Sequence, residues 1–155
     1  MNALVGACIA VLALPVRLDA HAAPAAPAAP AAKLISITMP WVAAVPPSAR
    51  VSAAYMKIEN HTREARTLVG ASSPGARLVE IHEMKMEHGM MKMARVPRVV
   101  IPAQGVLELE PGGLHLMLID LEAPLRLGDT VSITLHFAGG LRQTATAKVQ
   151  TFEGR

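Results

Sequence analysis

The chain has 155 residues, a length typical of one domain, and 52% of them are hydrophobic, although only 3% are aromatic. The formal net charge is +3, and the Lys and Arg residues are scattered without forming a run, which argues against a nucleic-acid or anionic-membrane surface. The sequence has no glycine-rich phosphate loop, no nucleophile elbow and no isolated pair of acidic residues, so we do not expect an enzyme.

The N-terminus has the pattern of a secretory signal. Residues 3–16, ALVGACIAVLALPV, form an apolar run too short to span a bilayer, and small residues suited to signal peptidase follow it. We predict a signal peptide over residues 1–22, cleaved after Ala20 or Ala22, and a periplasmic location. Cys8, the single cysteine, precedes most of the apolar run, so we do not expect a lipid anchor. The mature protein would then have neither a thiolate ligand nor a disulfide.

An alanine and proline repeat follows the predicted signal. Residues 22–32 read AAPAAPAAPAA, and prolines at this spacing favour an extended, polyproline-like conformation. We therefore predict a passive linker over residues 23–33 and one folded domain over residues 34–153.

The predicted domain has the pattern of a β protein. Short runs of β-branched and aliphatic residues alternate with Pro, Gly and Asn, and no stretch has a sustained helical period. In the run TVSITLHF every second residue from Val131 to Phe137 is apolar, as in a half-buried strand. We predict an all-β fold, an antiparallel β-sandwich. The candidate strands are Leu34–Trp41, Val51–Glu59, Ala65–Ala71, Arg77–Met86, Met91–Val96, Val106–Glu110, His115–Leu121, Thr130–Phe137 and Arg142–Thr151.

Two histidines and two methionines combine ligand types that suggest a metal site. Imidazole and thioether are the good ligands for soft or borderline metals that remain once cysteine is absent, and thioether prefers Cu(I). Thioether carries no proton at ordinary pH, so only the histidines would make binding compete with acid. The pattern predicts a Cu(I) site. The candidate ligands are His82, Met93, His115 and Met117.

The stretch EIHEMKMEHGMMKMARV, residues 80–96, predicts a β-hairpin in a definite register. Pairing across the four-residue loop EHGM places His82 and four methionines on one face, whereas a three-residue loop would turn Met93 to the other face. Charged residues such as Glu83 and Lys92 occupy the opposite face. The expected cross-strand pairs are His82 with Arg95, Met84 with Met93, and Met86 with Met91.

Other interpretations of these residues remain open. A stripe of methionine often fills gaps in a core, and Met84 or Met86 alone would fit packing or an exposed position. His88, in the loop, is either a solvated turn residue or a ligand of oxidised copper. A metal-free adhesion or assembly sandwich, with its methionine face against a partner protein, is the alternative from a different functional class. The remaining histidines, which have no partner at metal spacing, are His21, His61 and His136.

The spacing of the four candidate ligands resembles the signature of one protein family. Ten residues separate His82 from Met93, twenty-one separate Met93 from His115, and Leu116 alone separates His115 from Met117. This resembles the H(M)X10MX21HXM motif of the PCuAC periplasmic copper chaperones. The likeness extends over roughly residues 34–152, through MPWVAAVPP, AAYMKIEN, VGASSP, VEIHEM and PGGLHLML.

The resemblance implies a cupredoxin-like β-sandwich that binds Cu(I) near its surface through His82, Met93, His115 and Met117. It also implies delivery of copper towards the CuA centre of cytochrome c oxidase. The copper acceptor would be subunit II of the oxidase or a Sco-type thiol protein. We expect a monomer that carries its ion and catalyses nothing. Copper buffering or resistance, with sequestration in place of delivery, is the alternative within the metal-binding class, and the sequence does not separate the two.

Overall fold

The computed structural model describes residues 34–152. The predicted signal peptide, the whole predicted linker over residues 23–33, Cys8, His21 and the last residue of the predicted domain lie outside the described residues. Within the described range, no helix has the length and apolar character needed to cross a membrane.

Ten β-strands and one short 3-10 turn, Ala138–Gly140, make up the described part of the chain, which confirms the all-β prediction. The candidate strands missed β6, which is three residues long and lies between Pro97 and Pro102, where period-2 patterning has no room to show. The strands are β1 (Ile35–Ala43), β2 (Val51–Asn60), β3 (Arg66–Ser73), β4 (Ala76–Glu87), β5 (Met90–Arg95), β6 (Val99–Ile101), β7 (Val106–Leu109), β8 (Leu114–Leu121), β9 (Thr130–Phe137) and β10 (Arg142–Gln150).

Seven strands pair in a closed ring, in the order β4, β8, β2, β1, β10, β9 and β3, and the pairing of β3 with β4 closes it. Strands β5, β6 and β7 pair on the edges of β4, β3 and β2. The prediction of a wholly antiparallel sheet is wrong at one place, since β1 and β10 run parallel from Trp41 opposite Lys148 to Ala43 opposite Gln150. An odd ring cannot alternate strand direction throughout, so at least one pair must be parallel.

The main core fills the inside of this ring and is aliphatic, as the shortage of aromatic residues predicts. Strand β9 buries Val131, Ile133, Leu135 and Phe137 in alternation, which confirms the pattern read from the sequence. On β4 and β8 the buried residues include Ile81 and Leu116, which lie opposite each other. Burial of one such side chain contributes roughly 1.5–3 kcal/mol. Because side chains alternate along a strand, the neighbours of Ile81 and Leu116 project from the other face of the sheet, which we call the site face.

The predicted register of the β4–β5 hairpin is confirmed in all three expected cross-strand pairs. The loop is shorter than the predicted four residues, because Glu87 and Met90 also pair and leave only His88 and Gly89 between the strands. Both connecting residues have positive φ, +51° and +80°, as in a type I′ turn whose twist matches the flanking strands. Since both strands lengthened by one residue, the faces of the hairpin are unchanged.

Candidate metal centre

The two candidate histidines lie directly opposite each other on neighbouring strands. His82 of β4 pairs with His115 of β8, and their ring centres are 6.0 Å apart at an interplanar angle of 50°. Both side chains project from the site face, because the adjacent residues Ile81 and Leu116 point into the main core. With a bond of about 2 Å from each imidazole nitrogen to a metal, as seen at zinc, this separation leaves room for one ion between the rings.

The hydrogen bond of His115 indicates which of its nitrogens is free. Nδ1 lies 3.1 Å from the carbonyl oxygen of Gly113. A carbonyl oxygen can only accept, so Nδ1–H donates and the neutral ring keeps its lone pair on Nε2. The side chain is 3% exposed, and its ring centre lies 6.2 Å from that of Tyr55. The backbone turn before β8 therefore fixes both the position and the tautomer of this imidazole.

His82 is oriented by a carboxylate and uses the opposite nitrogen. Its Nε2 donates to Oε2 of Glu80 at 2.9 Å, and Oε1 of Glu80 is 3.2 Å from Nε of Arg95. The neutral ring then carries its lone pair on Nδ1, which is buried and has no hydrogen-bond partner. Within residues 34–152 it is the one buried side-chain nitrogen or oxygen in that condition. A metal ion would satisfy it, and a carboxylate behind a ligating histidine is the usual outer partner of such a ligand.

The two candidate methionines lie on different strands relative to the histidine pair. Met117 lies two residues beyond His115 on the same face, and it is paired with Glu80. Met93 is one strand further out, on β5, where it faces Met84 and is 47% exposed. The structure thus brings His82, His115 and Met117 together on two adjacent strands.

Met93 approaches from the other side of the histidine pair. It is level with Met84, two residues towards the hairpin tip, whereas Met117 is level with Glu80, two residues in the other direction. Half-buried Met84, on the same strand as His82, is closer in register to the histidines than Met93 is. Three methionines therefore lie in register on either side of the histidine pair, and their long unbranched side chains are flexible enough to reach towards it.

Residues that support the histidines escaped the sequence analysis. Glu80 is separated from His82 by one residue, so period-2 alternation along β4 was the signal that would have found it. Tyr55 lies between His115 and Trp41, whose ring centre is 4.5 Å from that of Tyr55. Burial raises the pKa of the Tyr55 hydroxyl above its ordinary value. Trp41, Ala43 and Tyr55 form a small apolar cluster beside the candidate site, separate from the main core.

The other described histidines have different surroundings. Nε2 of His61 lies 2.8 Å from Oγ of Ser36, and Nε2 of His136 lies 2.8 Å from Oγ of Ser72. His88 is an exposed turn residue at the end of the hairpin. Across residues 34–152, no group of three or more His, Cys, Asp or Glu side chains is placed to hold a metal ion.

Comparison with known proteins gives consistent matches to one domain type. The LpqE-like lipoprotein family matches residues 35–149. Protein Lxx21020 of Leifsonia xyli subsp. xyli is 32% identical over 121 residues, which are 77% of this chain and 72% of that protein.

Solved structures give a similar result. The Cu(I)-bound solution structure of DR1885 from Deinococcus radiodurans is 41% identical, with a TM-score of 0.59 over 79% of this chain and 80% of that one. The apo form of the same protein is 38% identical, with a TM-score of 0.60 over 97% of this chain and all of that one. The copper-bound PCuAC domain from PmoF2 has a TM-score of 0.64 over 76% of this chain and 93% of that one, at 24% identity, which shows the fold alone. The chain therefore belongs to the LpqE-like family, and its described residues have the fold of a PCuAC domain.

Proposed function

We propose that this protein is an extracytoplasmic Cu(I) carrier whose ligands are His82, Met93, His115 and Met117. One observation supports this most strongly: the two facing imidazoles each have one nitrogen engaged by a fixed acceptor and the other left with its lone pair. Thioethers on either side complete a donor set that favours Cu(I) over harder ions. The 41% identity to a protein solved with Cu(I) adds independent support.

The proposed mechanism is ligand exchange without a change in any covalent bond. Two neutral imidazoles and two neutral thioethers leave the single positive charge of the ion uncompensated, so a thiolate acceptor gains electrostatic attraction that the carrier lacks. Met93 is the ligand on the projecting hairpin and is half-exposed, whereas His115 is buried. Met93 is therefore the ligand that an incoming acceptor replaces first, and the buried histidine is the last to leave.

We propose that the protein delivers its copper towards the CuA centre of cytochrome c oxidase. Subunit II of the oxidase or a Sco-type thiol protein would accept it in the periplasm. The lipoprotein description of the LpqE-like family supports a location outside the cytoplasm. We also propose that the β-sandwich is cupredoxin-like and that the carrier is a monomer without catalytic activity.

A competition titration tests the binding half of this proposal. Under reducing, anaerobic conditions, the parent should take one equivalent of Cu(I) from a chromophoric chelator. His82→Ala and His115→Ala should each weaken binding by more than about 100-fold, because loss of a ligand should exceed the 10–100-fold effect typical of an outer-shell partner. His61→Ala and His136→Ala are matched controls, since these histidines bond to serines. Equal affinity in all five proteins would rule out the site.

Delivery and buffering are separated by the phenotype of a deletion strain. Loss of a delivery protein should lower cytochrome c oxidase activity under copper limitation, and restoring the gene should recover it. A growth defect under copper excess, with normal oxidase activity under limitation, would instead support sequestration.

A further inference from the structure

A second pair of methionines lies further out on the same face of the hairpin. Met86 and Met91 are cross-strand partners, one step beyond the pair formed by Met84 and Met93. Period-2 alternation places both pairs and His82 on the site face. We call Met86 and Met91 the outer methionine pair.

Packing does not account for the outer methionine pair. Met86 is 64% exposed and Met91 is 49% exposed. The described pairing of β4 with β8 ends at Glu83, opposite Leu114, so the hairpin beyond this point is a two-stranded ribbon. Little apolar area is buried there, and the stabilisation expected from these side chains is correspondingly small. Two large thioethers held side by side in solvent therefore call for a chemical explanation.

The geometry of the ribbon suits a soft cation. Directly opposed residues in an antiparallel pair have Cβ atoms about 4.5–5.5 Å apart, a separation that two thioethers can bridge through one ion. Successive pairs on one face are about 7 Å apart along a strand, since each residue rises about 3.4 Å. The outer methionine pair is thus one short step from Met84 and Met93, which flank the histidines.

The opposite face of the ribbon differs in character. Glu83, Lys85, Glu87 and Lys92 form ion pairs of 2.8–2.9 Å there, between Lys85 and Glu83 and between Lys92 and Glu87. A cation approaching that face meets ammonium groups already paired with the carboxylates. The two thioether pairs of the site face form an uncharged path from the tip of the hairpin to His82.

We propose that Met86 and Met91 form a second, weaker Cu(I) site that passes the ion between solvent or a partner and the histidine site. The inference rests on the proposed function for the direction of transfer, although binding at the outer pair can be tested alone. With two thioethers as protein ligands and no imidazole, the outer site should bind at least about tenfold more weakly than the histidine site, a difference of roughly 1.4 kcal/mol.

Ag(I), a redox-stable substitute for Cu(I), can test the outer site in the full chain with methionines labelled by 13C at the ε-methyl group. The first equivalent should shift the methyl signals of Met93 and Met117, and the second should shift those of Met86 and Met91. In the His82→Ala/His115→Ala variant, Met86 and Met91 should still respond. No response at these two methyls in either protein would overturn the proposal, even if the histidine site binds.

Transfer kinetics test the role of the outer pair as a relay. Met86→Leu/Met91→Leu keeps the size and apolar character of both side chains and removes the sulfur. Its affinity for the first Cu(I) should match the parent, while release to a chelator should slow several-fold. Met90→Leu is the matched control, since Met90 is 63% exposed and pairs with Glu87 on the other face. Equal release rates in all three proteins would contradict the relay. Failure of the parent to bind a first equivalent of Cu(I) would instead contradict the proposed function.

Discussion

Glu80 accepts a hydrogen bond from Nε2 of His82 at 2.9 Å, two residues away on the same face of β4. This contact fixes the tautomer that leaves Nδ1 of His82 free for a metal. Arg95, across the hairpin, holds the other carboxylate oxygen at 3.2 Å. The orientation of His82 therefore depends on the ion pair between Glu80 and Arg95, which joins the two strands of the hairpin. The same hairpin carries Met93.

Replacement of Glu80 by Gln should weaken Cu(I) binding by about 10–100-fold, because a neutral amide is a poorer acceptor for the imidazole N–H. Competition titration against a chelator measures the change. Glu83→Gln is the control, since Glu83 pairs with Lys85 at 2.9 Å on the opposite face. If both variants bind Cu(I) as the parent does, Glu80 has no part in positioning His82.

Copper affinity should fall as the pH is lowered, because protons compete with the ion for the two imidazole ligands, whereas the thioethers take up none. Two imidazole ligands allow a slope of up to about 100-fold per pH unit, since each bound ion can displace two protons. Affinity measured at a series of pH values in the parent tests this directly. An affinity independent of pH between 4.5 and 7.5 would mean that the thioethers alone bind the ion.

Met84 and Met93 should contribute differently to the binding and release of Cu(I). Met93→Leu should lower the affinity for Cu(I) and speed its release, because it removes the half-exposed ligand. Met84→Leu should have a smaller effect, because Met93 is the proposed ligand; a larger loss in Met84→Leu than in Met93→Leu would contradict that assignment. Dissociation constants and release rates of the two variants, measured side by side, show whether Met84 or Met93 is the sulfur ligand on β4 and β5.

Burial raises the pKa of Tyr55, so the protein should lose stability at alkaline pH. Below about pH 10 the phenol is neutral in both the folded and the unfolded chain, and no effect is expected. Above it the unfolded chain releases the proton while the folded chain retains it, so the free energy of unfolding falls as the pH rises. Urea unfolding at pH 9 and pH 11 should show a smaller loss in Tyr55→Phe than in the parent. An equal loss in both proteins would assign the alkaline effect to other groups.

The hairpin was predictable because two independent patterns agree on it. Methionines alternate with charged residues on both strands, and the stretch EHGM supplies a loop between them, so one register keeps the methionines on a single face. The face shared by His115 and Met117 followed from their spacing alone. Such local periodicity depends on neighbours in the sequence and is therefore visible without coordinates.

Features that depend on strand order were beyond the reach of periodicity. The parallel pairing of β1 with β10 joins strands from the two ends of the domain. Alternation along β4 puts Glu80 on the face of His82, but their hydrogen bond also depends on the side-chain conformation of both residues. The alignment of His82 with His115 requires β4 to lie beside β8. Patterning assigned Met93 a face but could not show that it lies one strand further from His115 than His82 does.

X-ray absorption at the copper edge of the protein loaded with one equivalent of Cu(I) tests the central claim most directly. The account predicts a first shell that contains both imidazole nitrogen and thioether sulfur, with the imidazole scattering lost in His82→Ala/His115→Ala. A first shell without sulfur, or a spectrum unchanged in that variant, would contradict a Cu(I) centre formed by these histidines and methionines.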